Sequence, residues 1–219
     1  MDKTGIQVFE TSAREYDAWF EQHRLSYESE LRALKTLAGL HRRGLELGVG
    51  TGRFAVPLKI AMGIEPARAM ARIARERGIQ VVSAVAEALP FPQESFDLVA
   101  IITALCFFRD PFKALTEATR VLTLAGRILI GMIDKDSPLG RLYEANRLQS
   151  RFYRDARFYG VREVLAWLKR LGYREEHLCQ TIFKGLSEIT EPEPVQEGFG
   201  AGGFVVISAR KVDETVSGV

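Results

Sequence analysis

Residues 45–54 read LELGVGTGRF: an apolar strand from Leu45 runs into Gly48, Gly50 and Gly52 and then toward a helix. Glycines in such a loop supply unusual backbone angles at little steric cost and expose amide groups near a helix N-terminus. In an open α/β sheet, ligands sit at the carboxyl ends of strands where the order of connection reverses, and a first strand-to-helix loop lies there.

A glycine loop alone could serve a dinucleotide, a nucleoside triphosphate or another adenosine ligand. The chain has no GxxxxGK[ST], so it lacks the lysine of a phosphate-cradling loop. A GxGxxG pattern beginning at Gly48 needs glycine or alanine at position 53, where this chain has Arg53. Glu46 would put a carboxylate beside the ligand, a poor partner for a diphosphate and a good one for a cation. A nicotinamide-dependent oxidoreductase is therefore the weaker enzyme reading. The next strand, in KIAMGIEP, ends at Glu65, whose carboxylate has the acceptor capacity to hold both hydroxyls of a ribose. Its alternative role is to cap the helix that begins at Ala67.

Outward from this stretch, short apolar runs alternate with amphipathic ones, the pattern of a mostly parallel sheet flanked by helices. Strands are expected at 44–47, 60–64, 80–84, 96–103 and 127–133, and helices at 67–77 and 111–124, the second opened by Asp110 as N-cap and Pro111. Helical spacing at 12–22 and 27–40 puts Tyr16, Trp19 and Phe20 on one apolar face. Further helices are expected at 141–153 and 161–171, strands at 173–183 and 203–211, and an irregular loop over 185–202.

The 219 residues, 47% hydrophobic and 26% charged, describe a globular chain large enough for a full core. Thirty basic against 28 acidic side chains give a net charge of +2, too little to imply a nucleic-acid or membrane partner. Nine basic residues between Arg141 and Arg174 read as a solvated face, with nucleic acid disfavoured. Cys106 and Cys179 have no disulfide-framework or zinc spacing, and no apolar leader or spanning segment is present, so a cytoplasmic location without a membrane or metal partner is expected.

Four ordered segments, ELGVGTG (46–52), Glu65-Pro66, AEALPFPQESFD (86–97) and ALCFFRDPFKALTEATRVLTLAG (104–126), resemble the class I S-adenosylmethionine-dependent methyltransferases that act on small molecules. The resemblance implies a doubly wound, Rossmann-like α/β fold of seven strands, the last antiparallel, with N-terminal helices as a lid. It implies one domain over 1–219: a helical cap (1–42), a cofactor-binding core (43–133), an acceptor-side insertion (134–202) and the last strand (203–211). It places Glu46, Gly48, Gly50 and Gly52 around the methionine end of S-adenosylmethionine, Glu65 and Pro66 at the ribose, Ala86 and Glu87 by the adenine, and Thr103 toward the methionine portion or the acceptor. S-adenosylhomocysteine would be the product.

The chain departs from the pattern at Val85, where relatives often have an acid, and at Cys106 and Phe107, where they often have a polar aromatic. Acceptor-side candidates are Tyr16, Trp19, Cys106, Tyr143 and Tyr153, with simple packing as their alternative role. None of His23, His41 and His177 offers an evident base, so no catalytic residue is assigned. Orientation alone can carry an in-line methyl displacement unless the acceptor holds its proton. The missing base and Val85 keep open a different class, a non-catalytic S-adenosylmethionine-binding regulatory module.

Overall fold

In the computed structural model, which describes residues 3–211, Gly44–Leu47 forms β1 at the centre of a sheet and is buried along its whole length. It pairs in parallel with β2 (Met62–Ile64) on one side and β4 (Phe96–Ile102) on the other, and β3 (Gln80–Val82) adds parallel to β2. Beyond β4 lie β5 (Leu122–Ile133), then β8 (Phe204–Lys211), β6 (Tyr173–Thr181) and the two-residue β7 (Gln196–Glu197), giving the order β3-β2-β1-β4-β5-β8-β6-β7. Strand β8 is antiparallel to both neighbours, as the resemblance implies. The sheet has eight strands rather than seven because part of the expected 185–202 loop pairs with β6 through Cys179 and Gln180.

Alternation along β4 divides the core between two faces. Val99 and Ile101 pack with α4 (Pro111–Val121) and α6 (Val161–Arg170), whereas Leu98, Ala100 and Ile102 pack with Ala33 and Leu34 of α2 (Arg24–Ala38). Helix α1 (Lys3–Gln22) crosses α3 (Arg68–Glu76) above the glycine loop. Asp110 caps α4, accepting from the Lys113 amide at 2.9 Å, with Pro111 in the first turn. The helix ends at Val121, three residues before the expected boundary, because Leu122 already pairs with Phe96.

The helix expected after the glycine loop is only a chain of turns. Amides of Val56 and Leu58 bond the carbonyls of Gly52 and Phe54, but Pro57 has no N–H for the Arg53 carbonyl, which accepts instead from the Tyr27 hydroxyl at 2.6 Å. The helix expected at 141–153 is α5 (Pro138–Asn146), capped by Ser137, whose hydroxyl accepts from the Gly140 amide at 2.9 Å. Among the described residues no helix is long and apolar enough to cross a membrane.

Candidate active site

The reversal between β1 and β4 leaves a cleft at their carboxyl ends. Gly48, Gly50 and Gly52 have φ of 74°, 55° and 82°, in the left-handed region that glycine alone enters freely. The loop is pinned to β2, since the amides of Gly48 and Val49 both donate to the Ile64 carbonyl, at 2.9 and 3.0 Å. A Cβ on Gly48 would come within 2.7 Å of that of Ala104, so glycine is what lets β1 and the residues after β4 approach each other here.

A first cavity opens over this loop. Gly48, Gly50, Glu65, Pro66, Ala86, Glu87 and Thr103 all line it, and so does Tyr16. Gly52 does not: it faces Ala74 and Ile79, packing the loop against α3. Glu46 does not line the cavity either; it is buried, 1% exposed, with Oε2 lacking any hydrogen-bond partner. Burial, reinforced by the charge of Glu65, pushes the Glu46 carboxyl well above its ordinary range. Burial also raises Glu65 to about 7, although its oxygens accept from the amides of Gly50 (3.0 Å) and Ala67 (2.8 Å). Glu65 thus bonds the amide at the start of α3 and also lines the cavity. One oxygen of Glu87 accepts from the amides of Arg109 (2.8 Å) and Asp110 (3.2 Å), holding the loop after β4. Among the described lining residues there is no lysine, arginine or histidine, so a diphosphate would find no countercharge.

A second cavity adjoins the first and shares Tyr16 and Thr103 with it. Thr103 has φ of 51°, a costly conformation for a β-branched residue, at the point where the two spaces meet. Trp19, Tyr143 and Tyr153 line this second space. Cys106 does not; it lines a much smaller space with Thr103, Tyr153 and Phe158. Burial pushes its thiol up to about 12, as suits a packing group. His23 stacks obliquely on Trp19, ring centroids 4.7 Å apart, at the margin of the helices.

Several functional neighbours escape sequence reading. Phe9 lines the first cavity and packs on Tyr16 and Phe152 at 5.6 and 5.8 Å. Asp17 receives Arg53 at 2.8 Å and Arg77 at 2.7 Å, tying α1 to the glycine loop, and Arg77 also donates to the Thr51 carbonyl. Burial opposes its ionisation, but hydrogen bonds from Arg77 and Arg53 outweigh that and hold Asp17 well below the usual carboxylate range. Arg53, which breaks the dinucleotide pattern, is thereby explained as an anchor. Glu30 of α2 was also missed; it lines the second cavity and is 9% exposed. The signal was present, because 26, 30, 33 and 34 share one helical face and a glutamate there stands among small and apolar residues.

The family model for a methyltransferase domain matches residues 45–130. A Thermotoga maritima S-adenosylmethionine-dependent methyltransferase, called a possible histamine N-methyltransferase, is 48% identical, and its crystal structure aligns with a TM-score of 0.91 over 94% of this chain and 99% of that one. An uncharacterized protein of Methanocaldococcus jannaschii is 47% identical over 94% of this chain and 100% of its own length. The ubiquinone/menaquinone biosynthesis C-methyltransferase of Xanthomonas oryzae is 28% identical, covering 90% of this chain and 81% of that one.

Proposed function

Because this chain belongs to the class I S-adenosylmethionine-dependent methyltransferases, we propose that it methylates a small-molecule acceptor held in the second cavity. The observation that carries this reading is the pair of adjoining cavities that meet at Tyr16 and Thr103. The names of its relatives cover both carbon and nitrogen acceptors, so the acceptor has to be read from this chain's own residues.

The first cavity fits the methyl donor by charge and by shape. S-adenosylmethionine supplies a methyl carbon on a cationic sulfur that leaves as a neutral thioether. Glu46 has an unpaired buried oxygen and no nearby cation, which suits the ammonium and sulfonium charges of the methionine end. Gly48 and Gly50 keep side chains out of the floor, and Glu65 presents its carboxylate for the ribose hydroxyls. Val85, Ala86 and Ile64 give an apolar slot suited to the adenine, with Glu87 at its edge. Tyr16 and Thr103 would face the transferred group, and the N-terminal helices would shield it from water.

Titration calorimetry with S-adenosylhomocysteine tests the donor assignment. Glu65→Ala is expected to weaken binding by about 1–3 kcal/mol in a folded protein. Unchanged affinity would remove Glu65 from the ribose site.

A further inference from the structure

The second cavity contains a polar notch that packing does not explain. Ser26 and Glu30 stand one turn apart on the buried face of α2, and both line the cavity. The Ser26 hydroxyl is buried without a hydrogen-bond partner. The Glu30 carboxylate, at 9% exposure, has neither a hydrogen-bond nor an ion-pair partner among the described residues. Around them stand the rings of Tyr16, Trp19, Phe20, Tyr143, Phe152 and Tyr153. Lysine, arginine and histidine are absent from the described lining.

From this juxtaposition, and resting on the reading of the second cavity as the acceptor site, we infer that the acceptor is a small organic amine whose ammonium is held by Glu30 and Ser26, with Glu30 taking the proton that the nitrogen must lose. A buried lone carboxylate is costly unless a cation meets it, and aromatic faces are themselves attractive to cations. An anionic acceptor would meet an acid with no countercharge. The ammonium nitrogen has no free electron pair, so it first gives one proton to the Glu30 carboxylate. The N–C bond then forms as the C–S bond breaks, with the electron pair of that bond leaving on sulfur. The methylated nitrogen is again cationic, and the proton on Glu30 passes to water.

Burial raises Glu30 to about 8. The titratable groups around it are the phenols of Tyr16, Tyr143 and Tyr153 and, on its own helix, Tyr27, all raised first by burial. Beneath the same helix, Cys179 of β6 donates to the Ala33 carbonyl, while the Glu193 amide donates to Ser29. At neutral pH the ammonium would therefore displace a proton from Glu30 as it binds.

The test is calorimetry on protein saturated with S-adenosylhomocysteine, titrated with phenethylamine, 2-phenylethanol and 3-phenylpropanoate. The amine is expected to bind best and to release about one proton at pH 7, read from buffers of different ionisation heat. Its affinity should rise about tenfold per unit between pH 6 and 7 and level off near 8. Glu30→Gln should bind the amine at least tenfold more weakly with S-adenosylhomocysteine affinity unchanged. Equal amine affinity in that variant, preference for the alcohol or the carboxylate, or amine binding to the unaltered protein without proton release would overturn the proposal. Failure of S-adenosylhomocysteine to bind the unaltered protein would instead overturn the donor reading on which it rests.

Discussion

Asp17 shows how one carboxylate can settle the position of a helix. Its side chain and those of Arg53 and Arg77 are 17%, 17% and 28% exposed, so the three charges interact with little screening by water. Asp17→Asn would leave two guanidinium groups short of a partner and is expected to cost about 2–3 kcal/mol in denaturant unfolding. Because Asp17 ionises below its ordinary 3.8 in the folded chain, its contribution is fully present above that pH and fades only in stronger acid. A Cm indistinguishable from that of the parent protein would show the cluster to be ornamental.

At the scale of elements, the same cluster divides α1. The helix breaks at Ser12, where φ is −126° and ψ is 23°. Residues after the break are tied to the glycine loop through Asp17, whereas those before it contribute Phe9 to the first cavity and reach α3 through Glu10, which accepts from the Ala69 amide at 3.2 Å. Hydrogen exchange should therefore slow on S-adenosylhomocysteine binding chiefly over residues 6–12, with little change over 13–22. Uniform slowing along α1 would show that the cluster does not divide it.

Most elements were legible because their signals are local: the apolar runs of β1 and β4, the Asp110-Pro111 cap, and the amphipathic pattern of α6. The misplaced ones depended on partners. The exception is α5, whose start carries in Ser137-Pro138 the same local cap signature as Asp110-Pro111. Helix formation after Gly52 fails through Pro57, whose effect shows only once Tyr27 is seen to claim the Arg53 carbonyl.

Across the whole molecule, part of the first cavity's lining could be read from spacing, since Gly48, Gly50 and Glu65 lie within one strand-loop-strand unit. Of the second cavity's lining, Tyr16, Trp19, Tyr143 and Tyr153 were singled out in the sequence, whereas Ser26 and Glu30 were not. Ser26 and Glu30 sit on a helical face of small and apolar residues whose composition resembles that of an ordinary core. The buried acids of the two linings have a measurable consequence for stability. Glu30 and Glu65 hold protons more tightly folded than unfolded, about 8 and about 7 against an ordinary 4.5. The stability they contribute is full below pH 4.5 and is lost as pH rises through those values. The ligand-free protein should thus melt at a lower temperature at pH 9 than at pH 6, by about 2–4 °C for each kcal/mol lost. Glu30→Gln should narrow that difference, and an equal fall in the variant would exclude Glu30 as a source.

Tyr16 and Thr103 belong to both chambers at once, and under the proposed assignment this joint ownership couples donor and acceptor occupancy. Whatever factor the nucleoside thioether applies to retention of the second guest, that guest must apply to the thioether in return. Product inhibition and substrate order would then have a common origin in one phenol and one strained threonine.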